Sequence, residues 1–213
     1  MQTEDQKLEQ LVHRMDPLNQ LLRSWPLKGE VSAQVTAIEI VRPDGETKRM
    51  IVRQHGDRDL QANPHIAADE FKLLQILQSA GVAAPSPVYL DDSGQIFPTP
   101  ILVMEYIEGE TEFTPAQFER VHLADFILQF TRELVKIHQA HRSNLDLSFL
   151  PQQEKGFGER PETLDETLGE GHIRDALEAI WPIPQLNDPA LLHGDFWPGN
   201  LLWKDGQLVA VID

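Results

Sequence analysis

No cysteine occurs among the 213 residues, which excludes disulfides and thiolate-bound metals. Positive charge is scarce: 18 Lys and Arg stand against 34 Asp and Glu, for a net charge of −16. Nonspecific nucleic-acid binding needs a basic surface, so nucleic acid is not an expected partner. No apolar run approaches the roughly 20 residues of a membrane-spanning helix, so no membrane partner is expected either. The first residues, MQTEDQKLEQLVHRM, lack the apolar stretch of a secretory signal. With cysteine missing as well, the expected compartment is the cytoplasm. No internal repeat is visible.

What is present fits a globular protein of one large domain or two small lobes, with 41% apolar and 24% charged residues. The acidity is uneven. Residues 1–104 hold 10 basic and 14 acidic side chains, while residues 105–213 hold 8 and 20. A solvated acidic surface is the plain reading, and attraction of a cationic ligand is the sharper one.

Residues 4–14 read as a helix with Leu8, Leu11 and Val12 on one face. Asp16-Pro17 reads as the start of a second short helix reaching about Arg23. The β-branched stretches 31–41 and 48–55 flank Pro43-Asp44-Gly45, which predicts an antiparallel hairpin. A helix follows, capped by Asn63 and stopped at Gly81. Residues 82–100 read as loop and short strand, and ILVMEYI at 101–107 as a buried strand. Thr114-Pro115-Ala116-Gln117 resembles a capping box opening the longest helix, whose apolar positions run from Leu123 to His138. His138 and His141 lie three apart near its end, where packing or a helix C-terminus role explains them better than metal. Residues 151–172, with Gly156-Phe157-Gly158, read as surface loop, and 173–181 as a helix. Short strands are expected at 191–192, 201–203 and 208–212, with Lys204-Asp205-Gly206 as a turn. The order, sheet first and helices second, predicts an α+β protein of two lobes, residues 1–108 and 109–213, with a ligand cleft between them.

Chemistry concentrates in LLHGDFWPGNLLW, residues 191–203. Asp195 and Asn200 stand five apart, and Asp213 thirteen further on. Asp and Asn supply hard oxygen ligands suited to Mg²⁺, and an Asp can accept or orient a hydroxyl proton. This spacing matches a kinase catalytic loop and its metal-binding Asp.

His193-Gly194-Asp195, Asn200-Leu201-Leu202 and Val211-Ile212-Asp213 together resemble the aminoglycoside phosphotransferase and choline kinase-like family, where Gly replaces the Arg of a protein kinase. The resemblance runs from about residue 20 to the end of the chain. It implies a protein-kinase-like fold with an antiparallel-sheet N-lobe and a mainly helical C-lobe, and a small-molecule kinase using ATP and Mg²⁺. Asp195 would be the catalytic residue, and Asn200 and Asp213 the metal ligands. Arg53 stands at the phosphate-binding position of the third strand, with Glu70 as its ion-pair partner; ordinary surface roles are the alternative for both. Met104-Glu105-Tyr106-Ile107 resembles the adenine-binding hinge, with backbone bonds from Glu105 and Ile107 and Met104 behind the pocket; an ordinary buried strand is the alternative. Gly29 and Ser32 match the family's phosphate-covering loop, while Glu30 and Ala33 depart from it. Trp197 stands where many protein kinases carry a phosphate-contacting Lys, which points away from protein substrates; it either packs or lines the acceptor site.

The implied reaction moves the terminal phosphoryl group of ATP to a hydroxyl of a small acceptor. The acidic second half favours a cationic acceptor, aminoglycoside-like or an amino alcohol. The rival is a nucleotide-binding pseudoenzyme or interaction module without transferase activity. A metal-dependent hydrolase would need more carboxylate or His ligands than the motif supplies. Relatives continue past the last Asp with further helices that finish the acceptor pocket. The resemblance therefore implies a truncated form of a longer protein, with an incomplete C-lobe.

Overall fold

The computed structural model describes residues 2–27, 33–111, 123–140, 146–151, 158–165, 167–181 and 188–212. The chain divides into one compact unit of Met1–Leu147 with Leu191–Asp213, and a second of Ser148–Ala190. The lobe boundary expected at 108/109 falls inside the first unit.

The first unit is built on a five-stranded antiparallel sheet in the order β1-β2-β3-β5-β4. Its strands are β1 (Gln20–Pro26), β2 (Ala33–Val41), β3 (Thr47–His55), β4 (Pro87–Asp91) and β5 (Ile101–Glu105). The hairpin expected from residues 31–55 is β2–β3, in continuous register from Ala33 opposite His55 to Val41 opposite Thr47. Gly45, at φ +83°, makes its turn.

Strand alternation gives the sheet two faces. Ile38, Ile40, Met50, Val52, Ile101 and Val103 pack against Leu8, Leu11 and Val12 of helix α1 (Glu4–Met15). Thr3 opens α1 with a capping box shared with Gln6. On the opposite face, Leu102 and Met104 of β5 meet Leu74 of helix α3 (Ile66–Ser79), with Ile51 and Phe71 beside them. Arg53 and His55 have the parity of Ile51, so the α3 face receives them.

The second short helix expected from Asp16-Pro17 is not there. Those residues form a turn, in which the Asp16 side chain accepts the Leu18 N–H at 2.9 Å. Residues 20–26 then pair with β2 as an edge strand. Asp-Pro serves turns as well as helix starts, and an unpaired edge of β2 was the stronger demand. Asn63 does not cap α3 directly. Its Oδ1 accepts the His65 N–H at 3.0 Å and its Nδ2 donates to Asp69 at 2.8 Å. A short helix α2 (Asp57–Ala62) precedes it, unread in the sequence. No strand forms at 191–192.

Helix α4 (Leu123–Gln139) and the hairpin of β6 (Leu201–Lys204) and β7 (Gln207–Val211) complete this unit. Asp205 and Gly206 both take positive φ at the hairpin turn, as a two-residue turn of this hand requires. The capping box at Thr114 lies outside the described residues, as do His141, Gly156 and Phe157. In the second unit, helix α5 (Glu170–Ile180) is tied to its preceding loop by Arg160, 2.8 Å from Asp175 and 2.9 Å from Glu178. No described helix is long and apolar enough to cross a membrane.

The segment leaving β5 crosses the β6–β7 hairpin, where Glu110 and Trp203 exchange backbone hydrogen bonds at 2.9 and 3.0 Å. Gly109 permits this approach: a Cβ there would lie 2.8 Å from Leu202 Cβ and 3.2 Å from Val209 Cγ2. Gly109→Ala is expected to destabilise the fold by about 1–3 kcal/mol through overpacking, read as a lowered urea midpoint with an unchanged slope.

Candidate active site

Two groups of side chains stand where the sequence reading placed chemistry. The first lies between β3 and α3. Glu70 shares one stripe of α3 with buried Ala67 and Leu74, at helical spacing, so that stripe aims it at the sheet. Arg53 Nη1 donates to Glu70 Oε1 at 3.0 Å, and both side chains are largely buried. The expected pair is thus in contact. The sequence reading missed a third member: buried His55 places Nε2 2.9 Å from Glu70 Oε2.

The second group is the loop His193–Asn200. Gly194 turns it at φ +89°, a conformation that L side chains rarely adopt. A short 3₁₀ turn, Pro198–Asn200, then delivers the chain into β6. Asn200 Nδ2 donates to both the backbone oxygen and the Oδ2 of Asp195, each at 3.0 Å. The backbone oxygen of Asn200 accepts the N–H of Ile212 at 2.9 Å, tying the loop to the residue before Asp213. Asp195 is exposed. Trp197, also exposed, lies over Gly199, where any Cβ would collide with its ring.

An aromatic row anchors this loop on α4. Trp203 stacks on Phe126 at 4.8 Å, Phe126 on Phe130 at 5.9 Å, Phe130 meets Phe196 at 4.5 Å, and Phe196 meets His193 at 5.5 Å. Two polar side chains of α4, also unread in the sequence, fix the hairpin. Gln129 donates to the Gly206 oxygen at 3.1 Å and accepts the Leu208 N–H at 2.9 Å. Buried Glu133 accepts the Ala83 N–H at 3.1 Å, and the Ala83 oxygen accepts the Val211 N–H. A carboxylate between Phe130 and Ile137 on an apolar face was the available signal for Glu133.

The hinge stretch leaves β5 beside these elements. Met104 is buried in the α3-side core. The Glu105 N–H donates to the Ser86 oxygen at 2.9 Å, so a ligand could use only the Glu105 carbonyl. Among the described residues Ile107 makes no hydrogen bond. A cavity of about 370 Å³ opens at this end, lined by Glu39, Thr47, Lys48, Arg49, Glu105, Tyr106 and Glu108. Arg53, Glu70, Asp195 and Asn200 do not line it. A hydrogen bond from Lys204, at 2.8 Å, holds the Glu108 carboxyl below its usual range, with the charges of Lys204 and Arg49 adding to it.

The profile of the phosphotransferase enzyme family, APH, matches residues 26–213. The chain belongs to this phosphotransferase family. A similar protein is mouse acyl-CoA dehydrogenase family member 10, 23% identical over 182 residues, which are 78% of this chain and 17% of that protein. A similar solved structure is that of a candidate aminoglycoside phosphotransferase from Ralstonia eutropha JMP134. It has a TM-score of 0.59 and 14% identity, and the match covers all of this chain and 64% of that one. At that identity the likeness is one of fold, and it carries the expected α+β, kinase-like class. The phosphotransferase chain thus spans under two thirds of the length of either relative. Within it, Arg53 with Glu70 and Asp195 with Asn200 are brought into contact, while Gly29, Ser32 and Asp213 lie outside the described residues.

Proposed function

We propose that this phosphotransferase moves the terminal phosphoryl group of ATP onto a hydroxyl of a small, cationic acceptor. The observation that carries the reading is the Asp195–Asn200 loop. One amide holds the Asp195 carboxylate at 3.0 Å, and the same residue's backbone oxygen accepts the N–H of Ile212, the residue after β7.

The donor set fits the groups this chemistry needs. Asn200 spends its Nδ2 on Asp195, which leaves Oδ1, a hard oxygen donor, for a metal. Asn200 and Asp213 would hold Mg²⁺, which neutralises phosphate charge when bound. Arg53, its rotamer set by Glu70, would grip the nonterminal phosphates. Gly29 and Ser32, which precede β2 in the chain, would cover them. The Glu105 carbonyl and the Ile107 N–H would meet adenine, with Met104 behind. Exposed Asp195 would accept or align the acceptor's proton, while Gly194 and His193 shape its loop. The balance of 8 basic to 20 acidic residues over 105–213 favours a cationic acceptor.

The test is a screen of amino alcohols, aminoglycosides and other hydroxyl compounds, read by ADP release, beside a thermal-shift titration with ATP and Mg²⁺. We expect Mg²⁺-dependent stabilisation by ATP, about 2.7 kcal/mol at a hundredfold excess over Kd, and its loss in Asp213→Ala. Stabilisation with no turnover on any acceptor would favour the rival, a nucleotide-binding module without transferase activity.

A further inference from the structure

We propose that His55 is a positioning residue of the nucleotide site, holding one oxygen of Glu70 so that the other can set Arg53. The inference rests on the reading of Arg53 as the phosphate grip.

His55 stands two residues after Arg53 on β3, so both point to the α3 side of the sheet. It is 6% exposed and its Nε2 lies 2.9 Å from Glu70 Oε2. Arg53 Nη1 takes the other oxygen at 3.0 Å. One carboxylate therefore faces Arg53 with one oxygen and the His55 ring with the other. As the Nε2–H tautomer, His55 would be a donor toward Oε2. Nε2 sits at hydrogen-bond distance but outside hydrogen-bond alignment. A small turn of the imidazole would align an Nε2–H with Oε2.

The division has a consequence for Arg53. A carboxylate with both oxygens available prefers a two-pronged pair with guanidinium, which consumes the donors that phosphate needs. Without His55, Glu70 can swing its second oxygen onto Arg53. Competition for the guanidinium then weakens nucleotide binding, while the acceptor side is untouched.

The test compares His55→Gln, which keeps an N–H donor near the Nε2 position, with His55→Leu, which keeps bulk without a donor. Calorimetric titration with Mg-ADP is expected to show Kd raised about five- to tenfold in His55→Leu and within about twofold of wild type in His55→Gln. With a working acceptor, the KM for ATP should rise and the KM for the acceptor should stay. Wild-type affinity in His55→Leu overturns the proposal, and so does equal loss in both variants. Arg53→Ala separates the two readings. If it binds Mg-ADP normally, the phosphate-grip reading fails and this one with it; if it binds weakly while His55→Leu binds normally, only the role of His55 fails. Should His55→Leu not fold, nitrogen NMR of the wild-type imidazole decides. A protonated Nε2 whose resonance moves on adding Mg-ADP supports the proposal. An unprotonated Nε2, or one indifferent to nucleotide, overturns it.

Discussion

Asp195→Asn is expected to lower phosphoryl transfer by about 10³-fold while Mg-ATP still stabilises the protein as it does the wild type. Removing a positioned general base costs on the order of 10²–10⁴ in rate. Asn is the informative replacement because the loop survives it. The side-chain oxygen of Asn can still accept from Asn200 Nδ2, as Asp195 Oδ2 does at 3.0 Å. What disappears is the negative charge that, in the proposed reading, would receive or align the hydroxyl proton. ADP release with the best acceptor of the screen measures the effect, and the thermal shift with Mg-ATP provides the control. If transfer in Asp195→Asn stayed within tenfold of wild type, Asp195 would not be the catalytic base.

Trp203→Ala is expected to cost about 3–5 kcal/mol of stability. Its ring is 4% exposed, stacks on Phe126, and lies in the core that joins α4 to the β6–β7 hairpin. Truncation removes large apolar burial and leaves a cavity that the two-stranded hairpin cannot easily collapse, since Gly109 already packs tightly on its other residues. Trp203→Phe should recover most of the loss, because a ring still faces Phe126. Urea unfolding of both variants checks the ranking. The loss should also reach the chemistry. The aromatic row from Trp203 through Phe126 and Phe130 to Phe196 and His193 is what seats the loop carrying Asp195. A Trp203→Ala protein that unfolds at the wild-type urea midpoint would contradict this account of the seat.

The stability of the fold and the seating of the Asp195 loop therefore share one support. Glu133 binds Ala83, Ala83 binds Val211, and Ile212 binds Asn200, so α4 reaches the loop through backbone as well as through rings. Such buried polar contacts cost much when one partner is removed.

Much of this was legible in the residues, for local reasons. Leu8, Leu11 and Val12 recur at helical spacing, so α1 could be read directly. The β2–β3 hairpin followed from two β-branched runs and a Pro-Asp-Gly turn. Asp195, Asn200 and their spacing announced a phosphotransferase loop, because positions along one loop and hairpin are fixed by the chain itself. The edge strand β1 was not legible. Its residues carry a helix-start signal, and only the open side of β2 makes them a strand.

Long-range partnerships were out of reach for the same reason. Nothing local in a strand residue such as His55 says that a carboxylate fifteen residues on will face it. The alternation of β3 and the stripe of α3 are each local, but their alignment depends on how the helix docks on the sheet. The sequence alone determined which kinds of groups are available, and that Asp195 and Asn200 share a loop. Only the tertiary structure decided that Glu70 lies within 3.0 Å of Arg53 and 2.9 Å of His55, and that Gln129, Glu133 and a row of aromatic rings seat the loop on α4. Packing geometry sets distances between residues far apart in the chain, and no local pattern encodes it.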